Sequence, residues 1–492
     1  MALPKQFGVV MPFRYCEIEN AAHTITAADV RQMAVHTYFD EQASAFSCSD
    51  DTLNQVWELC KYSIKATSFA GLYVDGDRER IPYEADACIN QLSHYGVDRE
   101  YGIAKQTIEY FMDHPTWPTE WILHTALMAY YDYMYTGDLE LVSEYYDILK
   151  HKTLIELARD DGLISSHSDK VTDAFMQQIG FPKGAKHIKD IVDWPAGQKD
   201  TSWKLANEAG ERDGYDMVPI NTVVNCFFYK NMTIMAEFAA LLGKDADADY
   251  FQYMAAKVKK SINQKLFDAS RGIYVDGEGS THASLHANMM PLAFGLVPKR
   301  YIPSVVDFVK SRGMACSVYG SQYLLEGLYR AGEGQYALDL MRSKSDRSWW
   351  NMIRVGSTIT LEAWDMKYKP NSDWNHAWGA APANIIPRGL WGVTPLEPGF
   401  RKVQVKPQLG DLRKSEIKVP TIRGPITCRC TRKSARRQTY DITLPGNTSG
   451  RLILHELSAA DVNLNGSPVN ITKGYIPLAS GANHVTVRIN NF

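Results

Sequence analysis

At 492 residues the chain is long enough for about two to four domains, and its 45% hydrophobic content is that of ordinary globular cores. A net charge of −3, spread without long runs, leaves no electrostatic footprint for nucleic acid or an anionic membrane surface, so small neutral partners fit better. No stretch reaches the apolar length of a membrane span.

In chain order, MALPKQFGVVMPFRYCEIEN has one early Lys but no long apolar core, so no signal peptide is expected in the chain as it stands. Residues 8–37 hold strand-like pieces, VVMPFRYCEI and VRQMAVHTYF, rich in Val, Phe and Tyr but too few to close a sheet. From about residue 50 to about 393 the texture is helical, with roughly a dozen apolar stripes at helical spacing, several ending at Gly. The first, DDTLNQVWELCKYSIKAT, opens with an Asp cap and carries Leu53, Val56, Trp57, Cys60 and Ile64 on one face. No fixed repeat marks a solenoid, which leaves paired helices closed into a toroid. The last hundred or so residues are short Val/Ile/Thr runs between Gly, Pro and Asn turns, an antiparallel β-sandwich. The expected architecture is mainly α: an N-terminal β segment over 1–45, an (α/α)6 barrel over 46–393 and a β-sandwich over 394–492. The eight Cys show no zinc spacing and read as mostly reduced and buried, with Cys428 and Cys430 on one strand face.

The stretch VDGDRERIPYEADACINQ (74–91) packs seven charged side chains into its first thirteen positions. Gly76 and Pro82 suit a turn, and YEADACINQLSHYG then has apolar residues at helical spacing, so the charges sit where a loop feeds a helix N-terminus. Hydrolysis of a glycosidic bond takes two carboxyl groups, and a second acid stands in VGSTITLEAWDMKYKPNSDWNHAWG. There Glu362 is bracketed by Trp364, Trp374, Trp378 and His376. Aromatic faces with a carboxylate make a sugar-sized pocket, and Trp117, Trp121, Trp194, Trp203, Trp349 and Trp350 stand in similar loop or helix-start contexts. Against this, a Trp at a helix start is more often core, and a mixed-sign cluster is more often a loop network. His282 and His286 have metal spacing but no nearby acid to complete a set, so metal is the weaker reading there.

These motifs resemble glycoside hydrolase family 78, the α-L-rhamnosidases, six-hairpin glycosidases marked by an acidic stretch with Arg-Glu-Arg ahead of a Trp and an Asp. Here that is Arg78-Glu79-Arg80, Tyr83 and Asp86; the second family segment matches Thr358, Thr360, Glu362, Trp364, Asn375 and His376. The likeness runs from about residue 10 to the end, including the closing GLWGVTPLEPGFRKVQVKPQ. It implies an (α/α)6 barrel that releases terminal α-L-rhamnose with inversion, needing no cofactor. Glu79 would be the general acid, kept protonated by Asp75, Asp77, Asp86 and burial, and Glu362 the general base, the carboxyls ~6.5–9.5 Å apart. Asp75, Arg78 and Asp86 would bind ring hydroxyls, while Tyr83, Trp121, Trp194, Trp349, Trp350, Trp364 and His376 would surround the sugar.

Three features depart from the family. The acidic lead is short, Tyr83 stands where a Trp is usual, and the chain starts in what reads as the last strand of a preceding sandwich. The partner implied is a rhamnosylated glycan or glycoside; the location is cytoplasmic as the chain stands, or periplasmic or secreted if it is an N-terminally truncated form. Alternatives are an exo-glycosidase for another α-linked sugar, a non-catalytic carbohydrate-binding barrel, or an (α/α) barrel lyase using Tyr83, His94 and His376.

Overall fold

The computed structural model describes residues 13, 15–197, 210–434, 436–454, 460–469, 471 and 474–489. Among them, twelve helices form six hairpins. The outer members are α1 (Asp51–Thr67), α3 (Gly102–Asp113), α5 (Glu140–Lys152), α7 (Asp245–Lys265), α9 (Ile302–Arg312) and α11 (Gly334–Met341). The inner members are α2 (Glu84–Val97), α4 (His124–Thr136), α6 (Thr222–Leu241), α8 (Leu285–Ala293), α10 (Gly320–Ala331) and α12 (Pro382–Ile385), the last running on through a π-turn to Leu390. Outer helices bury one stripe, as α1 does with Leu53, Val56, Trp57, Cys60 and Ile64, while α2 and α8 are buried all round. That difference sorts the two layers: a helix apolar on one stripe turns its other face to water, and one buried on every side lies inside the ring. Each inner helix packs on the next, and α12 returns to α2, closing the ring.

Local sequence sets the ends. Asp50 caps α1 by accepting the Leu53 N–H at 2.9 Å, and Asn221 and Ser284 cap α6 and α8 in the same way. Gly137 and Gly332 end α4 and α10 at φ 78° and 89°, a conformation that costs glycine nothing.

The C-terminal unit contains β2 (Thr394–Pro395), β3 (Lys402–Val405), β4 (Lys414–Val419), β5 (Ile426–Ser434), β6 (Arg437–Leu444), β7 (Ser449–Leu452), β8 (Ala460–Leu464), β9 (Ser467–Pro468), β10 (Ile476–Leu478) and β11 (Gly481–Ile489). With Ala45–Cys48 as β1, they form one sheet ordered β1-β4-β5-β6-β11-β8-β9 and a second ordered β10-β7-β3-β2. All pairs are antiparallel except β3 with β7. Cys428 and Cys430 alternate with half-buried and exposed residues along β5 and share the buried face, as expected from their spacing. Trp391 Nε1 donates to Ser415 Oγ at 3.1 Å, tying the last barrel turn to β4.

Of the expected N-terminal β segment, much of VVMPFRYCEI lies outside the described residues. The described residues up to 44 carry no strand, and Tyr15 and Met33 are 86% and 76% exposed. Strand-forming side chains without a partner or a face to pack on do not make a sheet. The single strand before α1 among the described residues, β1, is an edge strand of the C-terminal sheet, Phe46 opposite Ile417.

Candidate active site

At the N-terminal ends of α2 and its inner neighbours lies a cavity of about 320 Å³. Asp75, Arg78, Glu79, Tyr83 and Asp86 line it from the charged loop and the start of α2; Glu362, Lys369, Asn371, His376 and Trp378 line it from the loop before α12. Trp117, Trp121, Ile191 and Trp194 complete the wall.

The charged loop is two things at once. Asp75 staples it: its Oδ1 accepts the Ile81 N–H and its own N–H donates to the Ile81 carbonyl, both at 2.9 Å. Arg80, in the left-handed region at φ 55°, donates through Nε to Asp77 Oδ1 at 2.9 Å. Asp77 and Arg80 therefore form a loop network outside the cavity lining, while Arg78 and Glu79 face the cavity. Gly76 is needed for closeness: a Cβ there would lie 2.1 Å from Asp373 Oδ2.

The second loop is pinned at its ends. Thr360 Oγ1 donates to the His376 carbonyl and the His376 N–H to the Thr360 carbonyl, both at 2.8 Å, which brings Glu362 beside His376. Glu362 is 3% exposed and held by Lys369 Nζ at 2.5 Å, the Asp373 N–H at 3.0 Å and Arg78 Nη1 at 3.4 Å. Burial alone would raise its carboxyl, but His376, Lys369 and the Asp373 N–H outweigh it and hold Glu362 below the ordinary range, as a carboxylate.

Glu79 differs: its side chain is 37% exposed, so the burial expected of it is not found. Its position on the loop leaves it at the rim, where Oε1 accepts from Arg78 Nη2 at 3.1 Å and Oε2 from the Tyr83 hydroxyl at 2.9 Å. One guanidinium thus bridges both carboxylates, and its planar fork caps the distance between their bonded oxygens at about 9 Å. Arg78 Nη1 is also fixed by the Asn371 carbonyl at 2.6 Å.

On the floor, His376 Nε2 lies 2.6 Å from Asp86 Oδ1. Burial works against a charged ring, yet Asp86, Glu362 and Asp75 together raise the imidazole above its ordinary value. Asp75, 4% exposed, is pushed up to about 7 by burial and by the nearby Asp86 and Glu79, against the pull of His376. Tyr83 meets Trp121 edge-on with centroids 5.5 Å apart, and Trp378 stands perpendicular to Trp121 at 6.3 Å.

Several expected lining residues belong elsewhere. Trp349 donates to the Gly379 carbonyl at 2.7 Å, Trp364 donates to the Cys316 carbonyl at 2.8 Å, and the two rings pack edge-to-face in the core. Trp350 lies under Lys344, Trp374 is 43% exposed against Met366, and neither lines the cavity. Trp203 lies outside the described residues. His94, proposed for a lyase, is buried against the Tyr73 hydroxyl and pushed down to about 3 by burial, away from the cavity. His282 and His286 turn to different acids, Asp276 and Asp193, each at 2.6 Å. Lys369 and Asn371 were missed in the sequence, although both lie between Glu362 and His376, flanking Pro370. Glu362, Asp373 and His376 place potential ligand atoms within 4.8 Å of one another, but the Lys369 ammonium already neutralises Glu362 there, which disfavours a cation. No helix among the described residues is long and apolar enough to cross a membrane.

Comparison with known proteins agrees with this architecture. Residues 41–390 match the bacterial alpha-L-rhamnosidase 6 hairpin glycosidase domain, and residues 392–467 the bacterial alpha-L-rhamnosidase C-terminal domain. An alpha-L-rhamnosidase of Formosa agariphila is 23% identical over 92% of this chain and 48% of its own length. Among solved structures, the alpha-L-rhamnosidase from Dictyoglumus thermophilum superposes with a TM-score of 0.74 at 18% identity, over 95% of this chain and 52% of that one. The Streptomyces avermitilis alpha-L-rhamnosidase, complexed with L-rhamnose, gives 0.71 at 15% identity, over 92% and 43%. The chain spans about half the length of these relatives.

Proposed function

The chain belongs to the bacterial alpha-L-rhamnosidase six-hairpin glycosidases, and from that premise we propose that it hydrolyses terminal α-L-rhamnosides with inversion at the anomeric carbon. The observation that carries this reading is the contrast between two carboxyls on one cavity: Glu362 buried and held ionised, Glu79 at the rim between Arg78 and Tyr83. Two titratable groups whose surroundings differ this much suit opposite proton roles.

Glu362 is the general base in this reading. It orients a water and takes its proton as the water oxygen bonds to the anomeric carbon. Glu79, entering the cycle protonated, gives its proton to the departing glycosidic oxygen as the C–O bond breaks. Each group then returns to its starting state by exchange with solvent. The cap of about 9 Å on the oxygen pair overlaps the ~6.5–9.5 Å window that leaves room for that water. Asp75, Arg78 and Asp86 line the same cavity and in this reading bond ring hydroxyls, while Trp121, Trp194, Trp378 and Tyr83 on its wall face the 6-deoxy methyl.

The test is release of p-nitrophenol from p-nitrophenyl α-L-rhamnoside by the unaltered protein, Glu79→Gln and Glu362→Gln. Nitrophenolate needs little acid help, so Glu79→Gln keeps more activity on it than on natural rhamnosides, while Glu362→Gln is crippled on both. Full activity in Glu362→Gln, or ultraviolet-absorbing unsaturated products, overturns the proposal.

A further inference from the structure

The barrel holds a second, larger cavity, about 570 Å³, at its opposite end. Its wall includes Tyr130, Tyr131, Met134 and Tyr135 of α4, whereas the active-site cavity is walled by Trp121, just before that helix begins; at the helical rise, the residues between put the two walls roughly 13 Å or more apart. The sandwich closes it from the other side with Thr394, Pro395, Gln404 and Lys406.

Its charge is unbalanced. Lys230, Arg330, Arg388 and Lys406 line it against a single carboxylate, Glu326, which is already bonded to Arg388 at 2.8 Å. Arg388 is further held by Asn384 Oδ1 at 2.9 Å and lies over the Tyr131 ring. Lys230, Arg330 and Lys406 have no carboxylate partner among the described residues, and Lys230 rests on the Tyr130 face at 5.0 Å. Arg330 is in the last turn of α10, where a cation offsets the helix dipole. That reason does not extend to Lys230, midway along α6, or to Lys406, just after β3. Burial and the neighbouring Arg330 charge hold the Lys230 ammonium below its ordinary value, outweighing the opposing pull of Glu237 and Glu326. On the same wall the Tyr329 hydroxyl and Gln408 Oε1 are buried without a hydrogen-bond partner. Aromatic faces and unmatched cations together fit a ligand with a ring and an anionic group.

We propose that this cavity binds a carboxylated sugar of one or two rings, its carboxylate between Lys230, Arg330 and Lys406 and its C–H face on the tyrosines. The site is separate from the catalytic reading and stands without it. Calorimetry and saturation-transfer NMR on the full chain, with D-glucuronate, D-glucose and phosphate as probes, test it. D-Glucuronate is expected to bind at least about tenfold more tightly than either D-glucose or phosphate. Lys230→Met and Lys406→Gln should each weaken it by about tenfold, with rhamnoside hydrolysis and melting temperature unchanged, while Glu362→Gln should leave it intact. Lys406 is only half-buried, so its variant keeps the test open if Lys230→Met does not fold. Binding no tighter than D-glucose, equal binding of phosphate, or loss in Glu362→Gln but not in the lysine variants would each overturn the proposal.

Discussion

Replacing Lys369 by Met removes the ammonium 2.5 Å from Glu362 while keeping a side chain of similar length. The two side chains are 1% and 3% exposed, so water cannot take over as counter-charge. Breaking a buried pair by removing one partner costs about 3–5 kcal/mol. Because Arg78 at 3.4 Å and the Asp373 N–H at 3.0 Å remain, the lower end applies, about 3 kcal/mol. The sign with pH follows from the carboxyl. In the native protein Glu362 is held below its unfolded value, so its contribution is present above the unfolded value and is lost as pH falls through the native one. In Lys369→Met burial gains the upper hand and the native value rises. The deficit relative to the unaltered protein should then be full at about pH 8 and shrink toward about pH 4. Urea unfolding across that range reads the deficit. The acid limb of kcat/KM should move up by at least about one pH unit, equivalent to ~1.4 kcal/mol. An equal deficit at every pH with an unmoved acid limb would show that Lys369 acts through packing alone.

Tyr83→Phe deletes the phenol hydrogen bond to Glu79, which strengthens as Glu79 gives up its proton, and the exposure of Glu79 trims the loss to about 1 kcal/mol. Steady-state kinetics should show about a fivefold drop on alkyl rhamnosides and under about twofold on the nitrophenyl substrate; equal drops on both would dissociate Tyr83 from the acid step. Gly76→Ala drives a methyl against Asp373, whose N–H holds Glu362, so activity should fall about tenfold with a modest loss of melting temperature; unchanged kinetics would mean the loop yields freely. Asp75, raised to about 7, keeps a proton that the unfolded chain releases near its ordinary value, so stability contributed here falls as pH rises from about 4 to about 7. Calorimetric melting of Asp75→Asn should lack that part of the slope, and identical slopes would contradict the raised value.

The layered fold was legible because helical stripes and strand alternation report burial directly: the α1 stripe and the Cys428/Cys430 face appear as read. The pairing of β1 with the C-terminal sheet was not legible, since Val, Phe and Tyr mark strand propensity but not where a partner strand lies. In the site, the charged loop and the Glu362 segment stood out, yet sequence could not separate Arg78, which faces the cavity, from Arg80, which turns back to Asp77. That choice is made by the left-handed backbone at Arg80. Trp349 and Trp364 share the composition of a sugar platform, but their indole N–H groups find core carbonyls, a long-range outcome no local pattern encodes. Lys369 was hidden for a related reason: a lysine in a loop reads as solvated until the fold buries it against Glu362.

The central claim, two carboxyls acting on opposite faces of the sugar, is tested most directly by proton NMR of the first sugar released from an α-L-rhamnoside, followed before mutarotation. The account predicts the β-anomer of L-rhamnose first, with the α-anomer growing in later. The α-anomer appearing first would contradict it, because Glu362 would then be a nucleophile bonded to the sugar, with the shorter carboxyl separation of about 5–5.5 Å that retention needs.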